Sequence, residues 1–100
     1  MTTAGLDEKT AAMIRAVLEK FPAVERAVLF GSRAKGNHSP SSDIDLALFG
    51  KLDSLTTERI SLELNELPVA VKFDVQSYNG IKNPLLKDHI DRVGITVFAR

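Results

Sequence analysis

The sequence predicts an α/β (α+β) domain, a mixed β-sheet with helices packed mainly on one face. Three observations carry that prediction. Apolar residues recur at helical spacing over three segments, at 7–21, 54–67 and 83–93. Short runs rich in β-branched and apolar residues alternate with them, at 24–30, 43–49, 69–78 and 95–99. Gly, Pro, Asn and Ser punctuate the boundaries, which gives the order α-β-turn-β-α-β-α-β.

Each element has its own local reason. In residues 7–21, Met13, Ile14, Val17, Leu18 and Phe21 share one helical face. Asp7 is placed as N-cap with Leu6 just before it, and Pro22 stops the helix. Val24–Phe30 reads as a buried strand that ends at Gly31. Residues 31–42 are rich in Gly, Ser, Asn and Pro, with room for one short helical turn. Asp43–Phe49 alternates acidic or small with large apolar residues and ends at Gly50, a second strand. Ser54–Leu67 is a second amphipathic helix, with Leu55, Ile60, Leu64 and Leu67 expected inward and Pro68 closing it. Val69–Tyr78 is a third strand. Asn83 caps a third helix with Pro84 at its first position, and Gly94 ends it. Ile95–Ala99 is the last strand. The long 31–42 connection allows its two strands to be antiparallel, and the 54–67 helix suits a crossover to a parallel neighbour.

Composition narrows the function. With 44% hydrophobic and 26% charged residues in 100, the chain is expected to fold as one domain, residues 1–100, around its own core. Thirteen basic residues balance thirteen acidic ones, six against six in the first half and seven against seven in the second. No basic half or tail is available for counterion release, which argues against dedicated nucleic-acid binding. The absence of cysteine removes disulfides, thiol catalysis and thiolate metal sites, and fits a reducing cytosol. No apolar run approaches the ~20 residues of a membrane span. Residues 1–8 show no basic segment followed by an apolar one, so the expected setting is cytoplasmic, without a signal peptide or membrane contact.

The chemistry begins in Asp43-Ile44-Asp45-Leu46-Ala47-Leu48-Phe49. Alternation puts Ile44, Leu46 and Leu48 on one face of the strand and Asp43 and Asp45 on the other. Two carboxylates on adjacent same-face positions repel each other, and a divalent cation resolves that repulsion. Oxygen donors without Cys or a nearby His suit magnesium or manganese better than zinc. An acidic strand start at a solvated edge would look the same in sequence, so the pair alone does not decide. Asp74, in Val71-Lys72-Phe73-Asp74-Val75-Gln76, sharpens it. An Asp amid β-rich residues is disfavoured unless it has a task, although an open sheet face would also tolerate it. Placed beside the second strand, it completes three carboxylates, enough to hold two cations ~3.5–4 Å apart for phosphoryl transfer. The loop Phe30-Gly31-Ser32-Arg33-Ala34-Lys35-Gly36 offers backbone N–H groups, a hydroxyl and cationic side chains to a triphosphate. It lacks the Gly-Lys-Ser/Thr of a P-loop, and without the carboxylates it would read as a surface turn.

Gly31-Ser32, ten residues, then Asp43-x-Asp45, with Asp74 on a later strand, resembles the DNA polymerase β-like nucleotidyltransferase superfamily. Gly-Ser-Arg-Ala-Lys-Gly followed by Ser-Asp-Ile-Asp-Leu is similar to its minimal nucleotidyltransferases, the MNT-type antitoxins of prokaryotes. The likeness is tight over 28–49 and looser over 71–77. It implies the polymerase β-like fold, with Asp43 and Asp45 ligating two catalytic Mg2+ ions (Mn2+ a possible substitute). It also implies Asp74 as a further metal ligand and catalytic residue, and Gly31, Ser32 and Arg33 as nucleotide-binding. Lys35 stands where an Arg is more usual and loses the bidentate fork.

The implied activity is transfer of a nucleoside monophosphate, AMP from ATP, to an acceptor hydroxyl. The implied partner is a HEPN-family toxin whose tyrosine accepts AMP, in a toxin–antitoxin pair, with a homo-oligomer as another source of the acceptor wall. Two alternatives stand beside it: a vestigial module that neutralises its partner by binding alone, and a small-molecule (antibiotic) nucleotidyltransferase. His38 and His89 have no metal-ligand spacing and read as structural. Lys72 and Gln76 flank Asp74 as candidates to orient it. Leu52, Leu55, Ile81 and Leu85 are the apolar residues expected to be exposed beside the site.

Overall fold

The structure, a computed structural model, describes residues 5–100; the opening residues, on which the expectation about a leader rests in part, lie outside the described ones. Helix α1 spans Glu8–Glu19, strand β1 Val24–Phe30, helix α2 Ser32–Lys35 and strand β2 Ile44–Gly50. Helix α3 spans Ser54–Asn65, strand β3 Phe73–Ser77, helix α4 Pro84–Val93 and strand β4 Ile95–Ala99, with a 3-10 turn at Tyr78–Gly80. The sheet order is β3-β2-β1-β4. β1 runs antiparallel to both β2 and β4, whereas β2 and β3 are parallel and joined by the α3 crossover. Both strand orientations expected from the connections are therefore present.

The caps are those the sequence marks. The Asp7 carboxylate accepts the Thr10 N–H at 2.7 Å, which holds its pKa below the usual carboxylate range, and Leu6 packs into the core next to it. Asn83 accepts the Leu85 N–H at 2.9 Å, with Pro84 at the first helical position. The far end of α1 lacks a basic residue in its last turn and is closed instead by Arg100, whose guanidinium donates to the carbonyls of Leu18, Glu19, Phe21 and Val24.

The sheet separates two apolar clusters. Ile44, Leu46 and Leu48 of β2 pack with Ala27, Leu29, Phe73 and Val97 beneath Ile14 and Leu18 of α1 and Ile60 and Leu64 of α3. On the opposite face a smaller cluster of Val28, Phe30, Ala47, Ile81 and Ile90 lies under α4. The two long helices thus share one face, as expected, and α4 alone covers part of the other. Among the described residues no helix is long and apolar enough to cross a membrane.

Two expectations need correction. Strand β3 starts at Phe73, not Val69. Its partner β2 begins at Ile44, which is in register with Phe73, so residues 69–72 run past the end of the sheet with only the Lys72 carbonyl accepting from Ile44 N–H, at 2.9 Å. The Asn65 side chain marks the start, accepting the Phe73 N–H at 2.9 Å and donating to its carbonyl at 3.3 Å. Leu55 points outward and is 66% exposed. Five residues at 100° each set it about 140° around the helix from Ile60, off the buried stripe.

Candidate active site

The site forms where β1 ends and β2 and β3 begin. Parallel register places Asp45 directly beside Asp74, and antiparallel register places it opposite Phe30, the last residue before Gly31. Residues directly opposite share a face, so Asp45 and Asp74 stand together on the α4 side of the sheet. Asp43 precedes β2 by one residue and is exposed, as is Asp74, whereas Asp45 is half-buried. The three expected carboxylates therefore gather at one end of the neighbouring strands β2 and β3.

Their electrostatics record the crowding. Burial, then the charges of Asp74 and Asp43, push the Asp45 carboxyl up to about 6 from its ordinary 3.8; Arg33 opposes the shift, and a hydrogen bond with Asp74 adds to it. Burial and neighbouring like charges both penalise the ionised form of Asp45. Among the described residues, no three His, Cys, Asp or Glu side chains stand as a ready-made metal cage. The donor set nonetheless fits a hard ion: it is all oxygen, it carries unrelieved negative charge, and its exposed members leave room for phosphate oxygens to complete the coordination.

Gly31 is required by two independent facts. Its φ is +76°, where side chains carry a penalty, and a Cβ there would lie 2.2 Å from Asp45 Oδ2. The phosphate-loop candidate and the carboxylates are thus in direct contact. The short helix α2 follows, its turn closed by Lys35 N–H donating to the Gly31 carbonyl at 3.2 Å. Ser32, half-buried at the first position of α2, presents one of the early N–H groups that a helix leaves without an internal acceptor.

Arg33 departs from its expected role. It is 9% exposed, and its guanidinium donates to the carbonyls of Gly5, Pro40 and Ser42 at 2.9 to 3.3 Å. Every nitrogen of the fork is committed, so the side chain staples the 36–42 connection and the segment before α1, and reaches the site only through its field on Asp45. Lys35 is exposed. Lys72 is exposed and Gln76 half-buried; Gln76 borders a groove of about 610 Å³ between α3 and β3. A second groove of about 620 Å³ lies between α1 and residues 68–71. Neither is lined by Asp43, Asp45 or Asp74, of which Asp43 and Asp74 are exposed and Asp45 is half-buried.

One residue read as structural belongs to this region. His89 of α4 accepts the Gly31 N–H through Nε2 at 3.0 Å. Its signal in the sequence was its place beside Leu86, Ile90 and Val93, the inward stripe of α4. His38, by contrast, lines the groove beside α1, with Nδ1 buried and unpartnered.

A half-open sheet whose central strand starts with paired carboxylates beside a Gly-Ser turn defines a nucleotidyltransferase. Residues 12–100 match the family model described as "Polymerase beta, Nucleotidyltransferase", and the chain belongs to that family. It is 44% identical over 69 residues to "Putative protein adenylyltransferase MJ0435" of Methanocaldococcus jannaschii, a match covering 67% of this chain and 72% of the relative. Among solved structures, a "putative minimal nucleotidyltransferase" is 29% identical with a TM-score of 0.69, covering 88% of this chain and 92% of that one. A toxin–antitoxin structure with AMP-PNP shares the fold at a TM-score of 0.75 and 20% identity, covering 90% of this chain and 73% of that one. So does the MNT antitoxin bound to a tri-AMPylated HEPN toxin of Shewanella oneidensis, at a TM-score of 0.71 and 18% identity, covering 93% and 72%.

Proposed function

We propose that the protein transfers AMP from ATP to an acceptor hydroxyl, a tyrosine of a HEPN-family toxin, and so serves as the antitoxin of an intracellular pair, with residues 1–100 acting as one nucleotidyltransferase domain. The observation that carries this reading is the side-by-side placement of Asp45 and Asp74 against Gly31, with the Asp45 carboxyl pushed up to about 6.

Asp43, Asp45 and Asp74 would hold magnesium, which when bound supplies charge stabilisation at the α-phosphate and the leaving pyrophosphate. The chain's own groups do the rest. Gly31 lets the backbone lie close to the carboxylates, and Ser32 donates its hydroxyl and N–H to triphosphate oxygens. The acceptor oxygen bonds to the α-phosphorus as the bond from phosphorus to the β-phosphate bridging oxygen breaks. Asp74, exposed on the edge strand, takes the acceptor proton in this reading. Arg33 acts indirectly, by fixing the loop that delivers Asp43.

The exposure of Asp43 and Asp74 supports an acceptor wall contributed by another chain, because in-line positioning supplies much of the rate of such transfers. Leu85, Leu55 and Leu62, at 78%, 66% and 62% exposed, are apolar residues available to a partner. Leu52 is half-buried against the core and Ile81 is buried under α4, so these two of the four expected contact residues are withdrawn. The fold neighbours in complex with HEPN toxin and the relative named as a protein adenylyltransferase support the choice of acceptor.

The test is incubation with labelled ATP, magnesium and the product of the neighbouring gene. The expected result is a stable complex and a mass increase of one AMP on a toxin tyrosine. A stable complex without transfer would favour neutralisation by binding alone, and efficient transfer to a small-molecule acceptor would displace the toxin reading.

A further inference from the structure

Gly31 has to be held by something outside itself. Glycine loses more conformational freedom on folding than any other residue, and at φ +76° and ψ −155° no side chain of its own narrows the choice. Its carbonyl is tied by the Lys35 N–H at 3.2 Å. Its N–H is tied by His89 Nε2 at 3.0 Å, across 58 residues of chain. The nitrogen that accepts a backbone N–H carries no proton, so the ring proton sits on Nδ1. The ring is also placed by an edge contact with Phe30, at 6.2 Å between centroids and 78° between planes.

The element that presents His89 is itself firmly seated. Ile90, 2% exposed, buries α4 against Val28, Phe30 and Ala47, and Tyr78 donates its hydroxyl to Asp91 at 2.9 Å from the end of β3. A ring on such a helix fixes a neighbouring loop more closely than a loop residue would. The bond also means that, in this conformation, the Gly31 N–H is spent inside the protein. The donors left for phosphate oxygens begin at Ser32, and the orientation of the 30–31 peptide sets where they point.

We propose that His89 is a positioning residue of the nucleotide site: it locks the Gly31 peptide, packed against Asp45, in the orientation from which Ser32 meets the triphosphate. This rests on the nucleotidyltransferase reading given above. Without His89, the Gly31 peptide gains freedom that nucleotide binding must then remove, so the cost falls on affinity and not on the fold alone.

The experiment uses the full chain, 15N-labelled, as wild type, His89→Ala and His89→Gln. Gln carries an amide oxygen at about the reach of Nε2 but lacks the ring that packs on Phe30, so it restores the acceptor without restoring the packing. Two readouts are taken: amide exchange and resonance position of Gly31, and the apparent Kd for magnesium-ATP. The expected result is Gly31 exchange faster, and the Kd weaker, by about tenfold in His89→Ala, the worth of one hydrogen bond. His89→Gln is expected within about threefold of wild type in both, even where both variants melt lower. Equal loss of affinity in the two variants, or an unmoved Gly31 amide in His89→Ala, would overturn the proposal. If wild type fails to bind magnesium-ATP at millimolar concentration, the functional reading fails, while the Gly31 amide still decides whether His89 holds the loop.

Discussion

On one face of β2, Ile44, Leu46 and Leu48 are at most 1% exposed beneath α1 and α3; on the other, one residue along, Asp45 stands beside Asp74 with its proton held up to about 6. The alternation of a single strand therefore separates two demands. The buried face is satisfied by water exclusion, worth about 1.5–3 kcal/mol for each large side chain. The carboxylate face carries like charges, and the raised value of Asp45 records their repulsion together with its burial. The contrast teaches that stability and reactivity here share a backbone but not side chains, and the two can be perturbed separately.

The sharpest separation comes from the carboxylates. Asp43→Asn and Asp45→Asn are each expected to abolish AMP transfer with the fold intact, and Asp74→Asn to be nearly as severe. Charge stabilisation by the metal is worth several kcal/mol in the transition state, and each ~1.4 kcal/mol is a factor of ten in rate. Wild-type turnover by Asp45→Asn in a transfer assay would remove this face from the chemistry. The complementary change is Leu46→Ala, expected to cost about 2–5 kcal/mol in denaturant unfolding while transfer per folded molecule stays near wild type. A rate loss larger than the folded fraction explains would show that the faces are coupled.

Gly31→Ala joins the two demands at one atom. Its Cβ would meet Asp45 Oδ2 at 2.2 Å in a backbone conformation that disfavours alanine, so both stability and transfer should fall. The backbone strain alone is about 1–3 kcal/mol, measurable as a lower Tm. An unstrained, fully active variant would mean that the loop and the carboxylates are not in contact.

The pH dependence has a definite sign. With the folded-state value of Asp45 raised from 3.8 to about 6, the native state binds the extra proton, so without metal this group's contribution to stability falls as pH rises from about 4 to about 6. Asp45→Asn should flatten that part of the profile and melt higher than wild type at neutral pH without magnesium. Melting curves at several pH values check it, and an unchanged profile in the variant would mean that Asp45 is not the titrating group. The mildest change is Ser32→Ala, expected to slow transfer by about tenfold or less, because it removes one hydroxyl donor and leaves the backbone N–H groups in place.

Much of the buried face could be read in advance. β1 at 24–30 and β4 at 95–99 have the bounds their residues suggest, because β-branched runs between turn residues leave little choice, and the Asp7 and Asn83 caps are local hydrogen bonds within a few residues. The carboxylates were legible through alternation and the spacing from Gly31-Ser32. What escaped depends on distant partners. The start of β3 is decided by where β2 begins, and Arg33 is claimed by carbonyls of Gly5, Pro40 and Ser42, whose positions no local pattern encodes. For His89 the helical stripe marks only that the ring faces inward; its partner Gly31 lies 58 residues away and no local pattern names it.

The most direct measurement of the central claim, that three carboxylates and the Gly31-Ser32 turn form one magnesium-nucleotide site, is a melting series of wild type and Asp45→Asn with magnesium, ATP, both or neither. At a hundred times the dissociation constant, binding should stabilise wild type by about 2.7 kcal/mol, with magnesium and ATP together exceeding either alone. Asp45→Asn should lose that combined gain. A wild-type melt unmoved by millimolar magnesium-ATP, or an equal shift in Asp45→Asn, would contradict the account.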